Sequence, residues 1–419
     1  MDKTKILIVS CIEWDDRNAF GNTISNFFDT WDDVEYASIY TRSSLPSNNI
    51  CKRYYRVTIK DILKNLFSRK QIGQELRLDG ELYHGRSSER NLINRIKRSK
   101  MYGIISYIID TFYLSKLWIN SKYKRFIHDF APDIVFLFGK GDSFLINNAE
   151  YIKKHIGAKV VTFVADDVLY DYNGLGILNK RRRLNLSRLI NISDKLYGAS
   201  DELSRKYSKL YNTHFTTHYK GCHFMPMVTK THNPCEIVYA GNLYYGRVDV
   251  LIKLAQAIKT INAVYPNKYH LSIYSSTDIT PEQRVELDVP HVSKLNPSVS
   301  YSEVMTLMNE ASIVLHVESF LPSEMEKVKF SFSTKIIDCL QSGSVPMVIG
   351  PEEQSSVRYL KHIPGVIVIN NIADIGQTLD MNLNSLLSQA LKVREYSILH
   401  HDINVTRQSF KEDLINLIK

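Results

Sequence analysis

Short apolar runs alternate with amphipathic stretches along nearly the whole chain, and that alternation admits few architectures. In the first half, KILIVSCI (5–12), VEYASIY (34–40), APDIVFLFG (131–139), AKVVTFVADD (158–167) and KLYGAS (195–200) read as strands. Helices are predicted from Asn22 or Thr23 through Phe28, over about 180–192, and from Asp201. In the second half the strands are CEIVYAGN (235–242), YHLSIYSS (269–276), SIVLHVES (312–319) and VPMVI (345–349), with helical pattern over 248–266 and 300–312. Strands without a polar face, joined through helices, belong in parallel sheets covered on both sides. Two such series imply an α/β protein of two Rossmann-like domains facing a cleft, and 419 residues suffice for two cores. The boundaries expected are 1–222 and 234–392, joined through the aperiodic TTHYKGCHFMPMVTKTHNPC (216–235) with Pro226 and Pro234, and followed by a helical tail, 393–419.

Composition narrows the function classes. The apolar start of the chain breaks at Glu13, too early for a secretory segment, and the longest apolar stretch, 102–119, is interrupted by Asp110 and Lys116. Five cysteines without CxxC spacing and thirteen histidines without ligand-pair spacing argue for reduced thiols and no metal site. A cytoplasmic protein is expected, either free or peripheral on the inner face of the plasma membrane. The net charge of +9 is concentrated: residues 52–125 hold 18 Lys/Arg against 6 Asp/Glu, +12 locally, which leaves −3 for the rest. In this region Ile104, Ile105, Ile108, Ile109 and Phe112 fall on one side of a helix, with Lys100, Ser106 and Asp110 largely elsewhere. Such a surface suits an anionic membrane, or else packs its stripe into the domain and leaves the charges solvated. No nucleic-acid-binding motif accompanies the charge, so nucleic acid is not an expected partner.

Residues 318–350, ESFLPSEMEKVKFSFSTKIIDCLQSGSVPMVIG, carry the densest chemistry. Ser333 and Thr334 offer hydroxyl caps for a helix beginning near Lys335, Ile336, Ile337 and Leu340 give it an apolar face, and Gly343 ends it before VPMVI. A helix start bearing Lys335 suits an anion, and Asp338, one turn on, suits a sugar hydroxyl. Upstream, VYAGNLYYGRVDVL sets Gly241, Asn242 and Arg247 at a C-terminal strand end, where open α/β sheets bind ligands. Gly241 permits close approach of a backbone, and Arg247 can fork onto phosphate oxygens. The pattern is not GxGxxG, so it is no dinucleotide fingerprint. An ordinary αβ unit with a serine cap and a surface arginine is the plain alternative.

The order of Glu318, a loop, FSFSTKIIDCLQSG and "VP" resembles the donor segment of nucleotide-sugar glycosyltransferases of the GT-B fold, especially retaining family-4-type enzymes of bacterial surface polysaccharide. The strand–Gly–x–Leu–loop–Arg segment around Gly241 and Arg247 is similar to theirs, and the likeness extends more weakly over most of the chain. The familiar form spaces two glutamates by seven residues in E-G-F-G-L-P; here SFLPSEMEKVKFSFST intervenes and Asp338 stands at the second acidic place. The resemblance implies a metal-independent transferase with no cofactor beyond its nucleotide-diphosphate sugar donor, and a final helix crossing back onto the N-terminal domain. Arg247 and Lys335 would hold the pyrophosphate, Asp338 the ribose, and Glu318 would lie beside the sugar. Acceptors would be a glycan or a lipid-linked oligosaccharide, in capsule or other polysaccharide biosynthesis.

In the N-terminal half, Glu13, Trp14, Asp15, Asp16, Arg17, Asn18, Gly21 and Asn22 follow the first strand, in the region where members of that family contact acceptor or donor phosphate. Gly21 would allow such an approach. Lys140 and Asp142 in GKGDS, and Asp166 and Asp167 in ADD, end two further strands and are candidates for the same rim, or else are ordinary polar loop residues. An inverting enzyme would need a base such as Asp16 or Asp166; a retaining one, favoured by the resemblance, can use the leaving phosphate. Two other functions keep the architecture: a nucleotide-sugar epimerase, which needs no acceptor, and a non-catalytic donor-binding subunit.

Overall fold

A computed structural model describes residues 3–64, 72–78, 101–169, 175–230, 232–379 and 383–419. The chain divides into one unit of residues 1–219 with 407–419 and a second of residues 220–406. Part of the basic stretch expected between 52 and 125 lies at 65–71 and 79–100, outside the described residues.

The first unit is built on eight strands: β1 (Thr4–Val9), β2 (Val34–Tyr40), β3 (Arg53–Arg56), β4 (Gln74–Arg77), β5 (Ile134–Phe138), β6 (Lys159–Val164), β7 (Lys195–Gly198) and β8 (Thr216–Thr217). Their order is β4-β3-β2-β1-β5-β6-β7-β8, and every pair is parallel except β3 with β4. Sequence direction reverses between β1 and β5, so the loops after those two strands meet. Both faces are covered: Leu7, Val9, Val135 and Leu137 pack on one side, and Ile6, Ile8, Ile134 and Phe136 on the other. That second side is completed by Phe410 and Leu414 of the helix Ile403–Asn416.

The second unit has six parallel strands: β9 (Cys235–Ala240), β10 (Tyr269–Tyr274), β11 (Ser293–Asn296), β12 (Ile313–Val317), β13 (Val345–Ile349) and β14 (Ile367–Ile369). The order β11-β10-β9-β12-β13-β14 reverses between β9 and β12. Helix Arg247–Val264 follows β9 and helix Lys335–Gln341 precedes β13.

Several local expectations shift. The first helix runs Ala19–Phe28, three or four residues earlier than its hydrophobic pattern suggests, because Asn18 caps it by accepting from Gly21 N at 2.8 Å. The helix predicted from 180 begins at Gly176, and the tail is two helices, Leu386–His401 and Ile403–Asn416. The intervening 319–332 stretch contains the helix Pro322–Val328. On helix Tyr102–Leu114 the buried residues are Gly103, Asp110 and Tyr113, while Ile104 and Ile108 are exposed. Asp110 faces inward because it accepts from Ser143 N and Oγ, at 2.8 and 2.9 Å, and pairs with Arg181 at 3.0 Å. Among the described residues no helix is long and apolar enough to cross a membrane.

Candidate functional site

Arg247 opens the helix after β9, and Glu318 follows the last residue of β12. These strands are neighbours at the reversal point, with Val238 opposite Val314, so residues 71 positions apart meet. The guanidinium is buried, with Nε donating to Val317 O at 3.0 Å, Nη1 to Asn242 Oδ1 at 2.8 Å and Nη2 to Glu318 Oε2 at 3.0 Å. Glu318 Oε1 takes Ser356 Oγ at 3.2 Å and lies 3.2 Å from His316 Nε2. His316 and Glu318 are two residues apart on extended chain, hence on the same side of it. Burial alone would raise the Glu318 pKa; the hydrogen bond and charge of His316, then the charge of Arg247, reverse this and bring it to about 2. Both carboxylate oxygens are engaged by protein, and Glu318 is the counter-ion that orients Arg247.

Lys335 reaches the same place from the other side. Its Nζ lies against the backbone of Gly241, where a Cβ would be only 1.6 Å away, and 5.4 Å from the centre of the Tyr239 ring. Only glycine leaves room for the ammonium there. Tyr239 in turn donates to Asn242 O at 2.6 Å, which fixes the turn below Arg247. Burial, then the neighbouring Arg247 charge, lower the Lys335 pKa to about 8. Arg247 is paired with Glu318, whereas Lys335 feels Glu318 and Asp338 only through their fields and forms no ion pair among the described residues, so it is a positive charge that a bound anion would balance.

Helix Lys335–Gln341 begins where expected, but Thr334 makes no side-chain cap; Ser333 Oγ accepts from Lys335 N at 3.4 Å. Asp338 Oδ1 accepts from Tyr301 Oη at 2.9 Å and lies 3.7 Å from Lys220 Nζ. Gln341 Nε2 donates to the same Tyr301 Oη at 3.0 Å. His316, Ser356, Tyr239, Tyr301 and Lys220 were not singled out from sequence. For His316 alone a local signal existed: its two-residue spacing from Glu318 on a strand.

The candidates of the first unit fall in separate environments. Asp15 is buried and takes a forked pair from Arg17 Nε and Nη2, each at 2.8 Å. Asp16 is half-buried and accepts from Ser25 Oγ, which itself accepts from Trp14 Nε1 at 2.8 Å. Burial raises the Asp16 pKa against that hydrogen bond. Gly21 lies inside the first helix rather than in an open loop, and a Cβ there would fall 2.2 Å from Asp15 O. The close approach it permits is thus to its own chain. Asn22 is on the same helix, with its N–H bonded to Asn18 O at 3.0 Å. Lys140 is exposed, whereas Asp142 is held by Arg182 Nη2 at 3.3 Å and lies 3.8 Å from Cys11 Sγ. Burial, then Asp142, push the Cys11 thiol well up, so it is a poor nucleophile. Asp166 is exposed; Asp167 is buried, paired with Lys206 and accepting from Tyr207 Oη at 3.1 Å. Those contacts make Asp167 part of the framework. Among the described residues no group of three or more His, Cys, Asp or Glu side chains is placed to hold a metal ion.

No family model and no curated protein matches the chain. Solved structures do. A UDP-forming α,α-trehalose-phosphate synthase from Burkholderia xenovorans, in complex with glucose-6-phosphate, superposes with a TM-score of 0.60 at 10% identity, over 98% of this chain and 99% of that one. An E. coli trehalose-6-phosphate structure bound with UDP-2-fluoro glucose gives 0.59 at 11%, and Anabaena HepE in complex with UDP-glucose gives 0.59 at 10%, both with the same coverage. These neighbours are glycosyltransferases of the GT-B fold, and the α/β architecture of this chain is theirs.

Proposed function

We propose that this protein is a glycosyltransferase that moves a sugar from a nucleotide-diphosphate donor to a glycan or lipid-linked acceptor. The observation that carries the reading is the cluster at the strand reversal of the second sheet, where the buried Arg247–Glu318 pair stands beside the half-buried Lys335 ammonium seated on Gly241. The UDP-sugars held by the fold neighbours support the same class of donor.

Transfer breaks the bond from the anomeric carbon to the pyrophosphate oxygen, and the electron pair leaves with the oxygen. The acceptor hydroxyl bonds to the same carbon and gives up its proton. Negative charge grows on the leaving diphosphate as the sugar becomes oxocarbenium-like, so fixed cations already in place lower the barrier. Arg247 and Lys335 perform that role here, and Glu318, braced by His316 and Ser356, keeps Arg247 from swinging away. Asp338, with Tyr301, offers polar groups to the ribose. The reaction needs no metal ion in this scheme, and the leaving phosphate accepts the acceptor's proton, which gives retention. A cytoplasmic place in bacterial surface polysaccharide synthesis, with the acceptor presented at the inner membrane face, rests on the donor-segment resemblance and the basic 52–125 stretch.

Calorimetry with UDP, GDP, dTDP and CMP, without added metal, tests the reading. One diphosphate should bind in the micromolar range and lose its affinity in the Arg247→Ala/Lys335→Ala double variant. Binding of none of them by the wild type would remove the donor site.

A further inference from the structure

The end of the second sheet opposite Arg247 holds a cavity of about 230 Å³, at the N-terminal ends of β12 and β13. Its polar wall is Lys230, His232, Ser312 and Ser344; Met227, Val345, Leu386 and Ala390 contribute apolar surface. Lys230 Nζ donates to Gly343 O at 2.9 Å and to Ser344 Oγ. An ammonium has three N–H donors, and among the described residues no carboxylate pairs with this one. Burial lowers Lys230 to about 8, and no acidic group acts on it to offset that. His232 stands beside it, with Nδ1 2.7 Å from Ser312 Oγ, and its pKa is lowered by burial and by the Lys230 charge.

Lys230 and His232 are half-buried, and a partly desolvated cation that no carboxylate offsets is stabilised when an anion joins it. The electrostatics therefore call for a negative head and the remaining wall for an apolar body. Size limits both. Pockets for drug-sized ligands run from about 300 to 1,000 Å³, so this cavity takes something smaller.

We propose that this cavity is a binding site for a short-chain carboxylate, its head group on Lys230 and His232 and its alkyl tail against Val345, Leu386 and Ala390. The site is separate from the proposed donor pocket and does not depend on it. The two are nevertheless connected through one short helix, because Lys230 holds the carbonyl of Gly343 just beyond a helix whose first residue is Lys335.

Hexanoate is the probe, measured on the full-length chain by calorimetry and ligand-observed NMR, with hexan-1-ol as the uncharged control and inorganic phosphate as the tailless one. Hexanoate should bind, and both controls should bind at least about tenfold more weakly, a difference of about 1.4 kcal/mol. Lys230→Met should weaken hexanoate by a similar factor. Leu387 lines the cavity yet is largely exposed, so Leu387→Trp should obstruct the mouth without disturbing the core, and it decides the matter if Lys230→Met does not fold. Failure of the wild type to bind hexanoate, phosphate binding as tightly as hexanoate, or hexanoate binding unchanged in folded variants would each overturn the assignment.

Discussion

A methyl group added at Gly241 would fall 1.6 Å from Lys335 Nζ, and ordinary contact begins at 3.4 Å, so Gly241→Ala must displace the ammonium by at least 3.4 − 1.6 = 1.8 Å. The backbone tolerates the change, because Gly241 is not among the residues with positive φ, and the obstructing atoms are the flexible end of a lysine. Folding should therefore survive while the charge moves. At an effective dielectric of about 20, a phosphate charge about 3 Å from the ammonium gains about 5.5 kcal/mol, and one about 4.8 Å away gains about 3.5. The loss of about 2 kcal/mol corresponds to roughly thirtyfold weaker binding of the nucleoside diphosphate. Calorimetry on Gly241→Ala, alongside its thermal unfolding, reads both quantities. An unchanged dissociation constant in a folded variant would refute the argument that Lys335 holds the phosphates from its seat on Gly241.

Further consequences follow from the same contacts. Lys335 titrates at about 8 in the free protein, so diphosphate affinity should be level below that pH and fall by up to about tenfold per pH unit above it; Lys335→Met should abolish the slope in a titration series. Glu318 has a folded pKa of about 2 against 4.5 when unperturbed. Its charge thus contributes about 3 kcal/mol, a stability fully present above about pH 4.5 and lost as the pH falls toward 2. Urea denaturation should show Glu318→Gln less stable by about that amount at pH 7 and by clearly less at pH 3, and a gap independent of pH would contradict the account. Gly21→Ala forces a methyl into Asp15 O and should cost about 1–3 kcal/mol; a neutral result in thermal unfolding would mean that the loop yields.

The buried strands were legible because both faces of a parallel sheet are apolar, which leaves runs such as ILIV and IVFLF with little else to be. β3, β4, β8 and β11 were not, since RYYR, QELR, TT and SKLN are short and mostly polar and become strands only through pairing with a neighbour. The apolar β14, IVI, was missed because three residues are too short a run to read. The first helix was placed late because Asn18 and Gly21 read as loop residues, whereas one is a cap and the other a close-contact position. Arg247, Lys335 and Asp338 were legible from residue type and place in the strand–loop–helix pattern. The partnership of Arg247 with Glu318 was not, because it depends on β9 lying beside β12, and that order is a property of the whole sheet.

Phe410 and Leu414 are fully enclosed, and they pack with Phe27, Phe28, Trp31 and Phe136 from the opening third of the chain; Arg407 adds a hydrogen bond to Asn26 O at 2.6 Å. During synthesis the aromatic layer laid down first therefore waits, partly uncovered, while the entire second unit emerges and folds. Only when the ribosome has passed Leu414 and the segment has cleared the exit tunnel can the earliest layer close. A chain that lacked Phe410 and Leu414 would leave those rings without their cover.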